Sequence, residues 1–336
     1  MLNGILIFGM IFVLLAMILV AVLFNPPLES DEQIKEKVTK NNEYDEEFFK
    51  SLSHQELKIK SENGYSVHAL LYKNNSNRYI IYTHGLRWNH MGGYKFMELY
   101  YSLCGFNVLI YDTRRHGKTG GKDITWGYYE KYDLKACVDY LREIYGEDIV
   151  VGVHGESIGA SITIEYLGIE KEKNIDFIIE EGGFSDINKL FSKVLKQKIK
   201  IKGKLILFMV NIISKIRKGY SFLEISPEKV ISKIEAPMLF IHGDSDQLVP
   251  LSMALDLYEK KKGYKELYIV KGGQHSKSYY ADYIGFNIAI ISFLININVI
   301  DSSNEHFEYF IDLIKGYNKE VDNKDKFLIN EEITEK

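Results

Sequence analysis

Six short, continuous apolar runs recur along the chain, each followed by a glycine-containing turn and then a helix-like stretch. They are Tyr79-Ile80-Ile81-Tyr82, Val108-Leu109-Ile110-Tyr111, Ile149-Val150-Val151-Gly152-Val153, Phe177-Ile178-Ile179, Met238-Leu239-Phe240-Ile241 and Leu267-Tyr268-Ile269-Val270. A strand with one wet face alternates apolar and polar residues, whereas a strand covered on both faces reads as an unbroken apolar run. Such runs alternating with helices predict an α/β fold with a doubly wound, mostly parallel sheet. Ligands in sheets of this kind bind beyond the carboxyl ends of the strands. Ahead of the runs, residues 55–60 and 66–72 alternate around Asn63-Gly64, which predicts a β-hairpin.

The chain has 336 residues. Without its apolar start and charged end roughly 260 remain, which suits one large domain better than two. A hydrophobic content of 46% with 13% aromatics suffices for a sizeable core. The net charge of −4 argues against a general nucleic-acid binder. Cys104 and Cys137 stand in apolar stretches and outside any C-x-x-C or zinc-like spacing. They predict buried, inert thiols with no disulfide framework and no structural metal.

Residues 1–24 carry no charged side chain and are nearly all Ile, Leu, Val, Met and Phe. An apolar run of that length can span ~30 Å of hydrocarbon as a helix. A cleaved signal peptide would want Lys or Arg before the run and small residues at a cleavage site, and neither is present. The expectation is an uncleaved, single-pass transmembrane helix at 1–24, making the membrane a partner through that helix. Lys35, Lys37 and Lys40 follow it, and the positive-inside bias puts the rest of the chain in the cytoplasm. Residues 25–54, opening on Asn25-Pro26-Pro27, are expected to form a stalk or linker. The α/β domain is expected over 55–300, and a C-terminal helix and charged tail over 301–336.

The interval between Ile179 and Met238 breaks the strand–helix rhythm. Residues 186–220 carry ten basic side chains against the single acid Asp186, a local net charge of +9. Apolar residues interleave with them. A helical, cap-like insertion at about 186–230 is expected. A lid over the site, a membrane-contact surface and a solvated lysine-rich face are all open for it.

Gly155-Glu156-Ser157-Ile158-Gly159 follows one predicted strand and precedes a helix-like segment. A random chain of this length shows G-x-S-x-G only about 0.1 times. The context matches a nucleophile elbow, in which the chain turns sharply with serine at its apex and glycines remove colliding Cβ atoms. Serine needs a base, and the base needs an orienting carboxylate. His275 follows a strand through Gly272-Gly273-Gln274 and is preferred over His242 and His306. In His242-Gly243-Asp244-Ser245-Asp246, Asp246 is preferred as the acid over Asp244; Glu180 and Glu181 are a distant alternative, and are otherwise expected as cleft-edge carboxylates meeting solvent or the basic insertion. An oxyanion would need two backbone N–H donors. Ile158, after the nucleophile, and Leu86, after the strand ending Tyr82-Thr83-His84-Gly85, are the candidates.

These residues resemble the α/β-hydrolase superfamily over about 55–297. Thr83-His84-Gly85, the Ser157 elbow, the Asp246 loop with Val249-Pro250, and Gly273-Gln274-His275 carry the likeness. Tyr111-Asp112-Thr113-Arg114-Arg115-His116-Gly117 is similar to the family's structural D-x-R-x-x-G turn. The nearest look is to membrane-anchored bacterial esterase-like and prolyl-oligopeptidase-like hydrolases, although no β-propeller is evident. The resemblance implies a serine hydrolase without a cofactor, cleaving an ester or related acyl bond of a small or lipid-like substrate. A serine peptidase for short peptides is the alternative, with Glu180 or Glu181 gripping an amino terminus. A catalytically inactive, membrane-tethered interaction module is the third reading. Retention of all three triad residue types in chain order argues against it.

Overall fold

The computed structural model describes residues 2–169, 174–198 and 203–301. Apart from Asp301, the expected C-terminal helix and tail lie outside the described residues, as does His306. Strands β1 (His54–Lys60) and β2 (Ser66–Tyr72) form an antiparallel hairpin, with Gly64 at φ 81° in the turn. The strands β3 (Arg78–Thr83), β4 (Asn107–Tyr111), β5 (Val150–Glu156), β6 (Phe177–Glu181), β7 (Met238–Gly243) and β8 (Lys265–Val270) run parallel to one another. The eight strands make one sheet in the order β1-β2-β4-β3-β5-β6-β7-β8.

The unbroken apolar runs are explained by burial on both sides. Tyr79 and Ile81 of β3 enter one core and Ile80 and Tyr82 the other; Leu109 and Tyr111 of β4 divide from Val108 and Ile110 in the same way. Helices α4 (Glu130–Tyr145) and α5 (Ile158–Leu167) cover the first face. Helix α11 (Tyr283–Asn296) covers the second with Phe286, Ile290 and Phe293. Each fully buried side chain of this size contributes about 1.5–3 kcal/mol.

Register brings the functional loops together. Thr83 pairs with Gly155, so the loop after β3 lies beside the turn after β5. Gly243 pairs with Val270, so the loops after β7 and β8 are neighbours. Short helices α8 (Pro227–Val230) and α10 (Ser278–Ala281) and the longer α9 (Leu251–Lys260) complete the connections.

Two expectations about the N-terminus are corrected. Helix α1 covers Leu2–Phe24, but among the described residues no helix is long and apolar enough to cross a membrane. The carboxyl-terminal part of the helix is docked on the protein. Ala16, Val20 and Phe24 recur every four residues on one buried face, and the Phe24 ring lies 5.3 Å from that of Phe222. Trp126 Nε1 donates to Leu23 O at 2.9 Å. The single-pass anchor, and the cytoplasmic placement argued from it, are therefore withdrawn.

Residues 25–54 do not form a free stalk either. They contain α2 (Asp31–Lys40) and α3 (Glu46–Ser51). Ser30 and Gln33 close a capping box at the start of α2. Ile34 and Val38 are buried against Met91 and Trp88, and Asn89 Nδ2 donates to Asp31 Oδ1 at 2.8 Å. A charged segment with two apolar residues four apart has one face to bury, and here the body supplies the partner.

Within the insertion, α6 (Ile187–Lys198) and α7 (Lys204–Lys218) form a helical pair over the carboxyl end of the sheet. Phe191 of α6 meets Trp126 edge-on at 5.1 Å, and Lys193 Nζ donates to Gln247 O at 2.6 Å.

Candidate active site

At the end of β5 the chain turns directly into α5 through Ser157, whose φ of 56° and ψ of −119° fall outside the common regions for a side-chain-bearing residue. Such a conformation costs on the order of 1–3 kcal/mol and is held by its surroundings. Ser157 N donates to Glu181 O at 2.7 Å, tying the turn to β6. A Cβ on Gly155 would stand 2.6 Å from Gly159 O, and one on Gly159 would overlap Thr83 O. Both elbow glycines are thus required by close backbone approach.

Ser157 Oγ lies 2.8 Å from His275 Nε2, and His275 Nδ1 lies 2.6 Å from Asp246 Oδ2. A carboxylate only accepts, so this contact favours the proton on Nδ1 and leaves the Nε2 lone pair towards Ser157. Asp246 Oδ1 is held by the N–H groups of Leu248 and Val249, both at 2.8 Å. The competing candidates sit elsewhere. Asp244 Oδ1 accepts from Gly272 N at 2.7 Å on the exposed side of the loop. His242 Nε2 donates to Val249 O at 2.9 Å, and burial lowers the affinity of that ring for a second proton. Leu86 and Ile158 border the same cavity as Ser157 and His275.

Glu180 and Glu181 are not at the cleft edge. Both are buried in the sheet, and neither borders the cavity. Burial, reinforced by the Glu181 charge, pushes Glu180 up to about 8 against a hydrogen bond from Gly183 N. Glu181 Oε2 lies 3.3 Å from His154 Nε2. The last two residues of a short strand point to opposite faces, and here both faces are covered.

The cavity holds about 700 Å³, within the usual range for small-molecule sites. Two of its walls come from outside the predicted motifs, one of them from the insertion for which a lid is one of the open readings. Leu190, Phe191 and Val194 of α6, with Leu23 of α1, give an apolar wall. Lys37, Lys40, Asn41 and Glu43, on or just after α2, give a polar one. Beside the nucleophile, Lys95 Nζ donates to Glu156 Oε2 at 2.8 Å and Tyr82 OH donates to the same oxygen at 2.6 Å. Burial alone would raise the Glu156 carboxyl, but the Lys95 charge and these hydrogen bonds outweigh it and hold the group down at about 2.

One trio among the described residues, His68, His90 and Asp112, has ligand atoms close enough to hold a metal. Those atoms are already engaged. His68 Nδ1 and His90 Nδ1 each lie 2.8 Å from an Asp112 oxygen, and His90 N and Lys118 N also donate to Asp112. The trio reads as a hydrogen-bonded knot that closes the turn after β4. Cys104 and Cys137 are buried free thiols, and burial pushes Cys104 up to about 12.

The sheet order, the strained serine turn after β5 and the cap define a hydrolase framework. A family model described as "Serine aminopeptidase, S33" matches residues 74–210. The Bacillus subtilis (strain 168) protein YqkD is 35% identical over 271 residues, covering 80% of this chain and 88% of that one. Human α/β hydrolase domain-containing protein 17C is 25% identical over 187 residues, 54% of this chain and 48% of its own length. Among solved structures, Pyrococcus furiosus esterase Pf2001 superposes with a TM-score of 0.62 at 23% identity, over 82% of this chain and 98% of that chain. The chain belongs to the α/β-hydrolase superfamily.

Proposed function

We propose that the chain is a serine hydrolase that cleaves carboxylic esters through an acyl-enzyme. The observation carrying this reading is the relay of contacts from Ser157 Oγ to His275 Nε2 at 2.8 Å and from His275 Nδ1 to Asp246 Oδ2 at 2.6 Å. Ser157 Oγ attacks the carbonyl carbon while His275 Nε2 takes its proton, and Asp246 holds the imidazole and its developing charge. The N–H groups of Leu86 and Ile158 are assigned to the oxyanion, a donor pair of which each member is worth about 3 kcal/mol in the transition state. His275 then returns the proton to the leaving oxygen. Water, activated by the same imidazole, cleaves the acyl-enzyme.

The apolar α6 wall favours an acyl chain. A peptidase that grips an amino terminus needs a carboxylate free in the cavity. Glu180 and Glu181 are buried away from it, Glu156 is already paired with Lys95, and Glu43 in the cavity wall is buried and bonded by Asn41 Nδ2. The test uses 4-nitrophenyl octanoate and aminoacyl 4-nitroanilides. The expected result is a burst of about one nitrophenol per chain, slower steady turnover, and much weaker cleavage of the anilides. His275→Ala should remove the burst and lower turnover by 10²–10⁴-fold, the usual contribution of a general base. Faster cleavage of the anilides would move the peptidase reading to the front.

A further inference from the structure

The cavity is lined by two sets of residues with opposite character, and Ser157 borders it with them. One set is apolar: Leu23, Trp126, Leu190, Phe191 and Val194. The other is cationic: Lys37, Lys40, Arg87, Lys95 and Lys277. The acids on the cationic side do not cancel these charges. Glu156 is consumed by Lys95 in a buried pair. Glu29 alone serves both Lys37 and Arg87. Lys40 and Lys277 have no ion-pair partner among the described residues. Glu43 is buried, with burial raising its carboxyl against an Asn41 hydrogen bond and the Lys95 and Lys277 charges, and even counted as charged it leaves three acids against five cations.

Chemistry says which part of a substrate meets this wall. The leaving oxygen must come within hydrogen-bond reach of His275 Nε2 to receive its proton. Ser276 and Lys277 follow His275 directly and line the cavity with Tyr280. The Glu156–Lys95 pair borders the same cavity as this segment. The leaving group therefore emerges among the cations, while the acyl chain has the apolar wall.

We infer that the preferred substrate is an ester of an apolar acyl chain with an anionic alcohol, whose phosphate or carboxylate sits among Lys37, Lys40 and Lys277. This rests on the esterase reading above. A like-signed cleft concentrates an oppositely charged ligand and raises its capture rate by about tenfold or more. The Ser157 chemistry is unchanged: the Oγ–acyl bond forms, the bond from the acyl carbon to the alcohol oxygen breaks, and the alcohol departs with the proton from His275.

The experiment measures octanoate release by the full chain from octanoylglycerol, octanoylglycerol 3-phosphate and octanoyl glycolate. The two anionic esters should exceed the neutral one by about tenfold in kcat/KM. That preference should shrink as ionic strength rises, since salt screens charges at an open wall. In the Lys40→Ala/Lys277→Ala double variant the ratio of anionic to neutral turnover should fall towards one. Preference for phosphate over carboxylate narrows the alcohol to a phosphorylated one; equal preference supports recognition by charge alone. Equal turnover of neutral and anionic esters, or a ratio unchanged in the double variant, overturns the inference while leaving the esterase reading intact. Turnover of none of the three overturns that reading and this inference together.

Discussion

Ser157→Ala should lower kcat for a simple ester by about 10⁶-fold, the scale seen when the nucleophile of a triad is removed. The residual rate over water would come from the oxyanion donors and from binding. Stability should change little. The serine side chain contacts His275 at the edge of the cavity, and alanine preserves the backbone turn. Thermal unfolding within a few degrees of wild type, together with lost turnover, is the expected pair of results. A variant retaining a tenth or more of wild-type activity would remove Ser157 from the mechanism.

The second large effect falls on stability. Lys95→Ala leaves the Glu156 carboxylate buried with its cation gone, and Tyr82 OH cannot replace a charge. Removing one partner of a buried pair costs on the order of 3–5 kcal/mol. The pH dependence gives the effect a signature. In the wild type Glu156 is held down at about 2, below its usual 4.5, so its contribution is present above pH 4.5 and lost as pH falls towards 2. Without Lys95, burial raises the group above its usual value. The variant's deficit should then be largest at neutral pH and shrink as acid protonates Glu156. Denaturant midpoints of both proteins at pH 7 and pH 5 check this. A deficit equal at the two pH values would indicate lost packing rather than an unpaired charge. Glu156 is also the residue before Ser157, so the pair supports the elbow from beneath.

Much of this architecture was legible because it is local. A strand buried on both faces, a glycine turn and a following helix are neighbours in sequence, and the elbow's glycines are dictated by contacts within a few residues. The loops that hold Asp246 and His275 could be located by the same logic, since each ends a recognisable strand. Lys95 could not. Its partner Glu156 is 61 positions away, and a lysine in a segment of mixed 3₁₀ and π turns carries no periodic signal.

The N-terminal region shows a different limit. A helix that is apolar all round reads alike whether it meets lipid or protein. Only tertiary contacts, such as Phe24 against Tyr220 and Phe222, reveal a docked face. In α2, two apolar residues among charges were too little to distinguish a packed helix from a stalk, yet Lys37 and Lys40 at its end border the cavity. Glu180 and Glu181 were misplaced because a strand's terminal residues look exposed until the elements above and below them are known.

The central claim is that Ser157 is an activated nucleophile, and covalent labelling tests it most directly. The full chain would be treated with a fluorophosphonate and the adduct mapped by peptide mass, beside the Ser157→Ala variant. The account predicts one adduct per chain, on Ser157, absent from the variant. A folded wild-type protein that takes up no label, or takes it up equally in the variant, would contradict it.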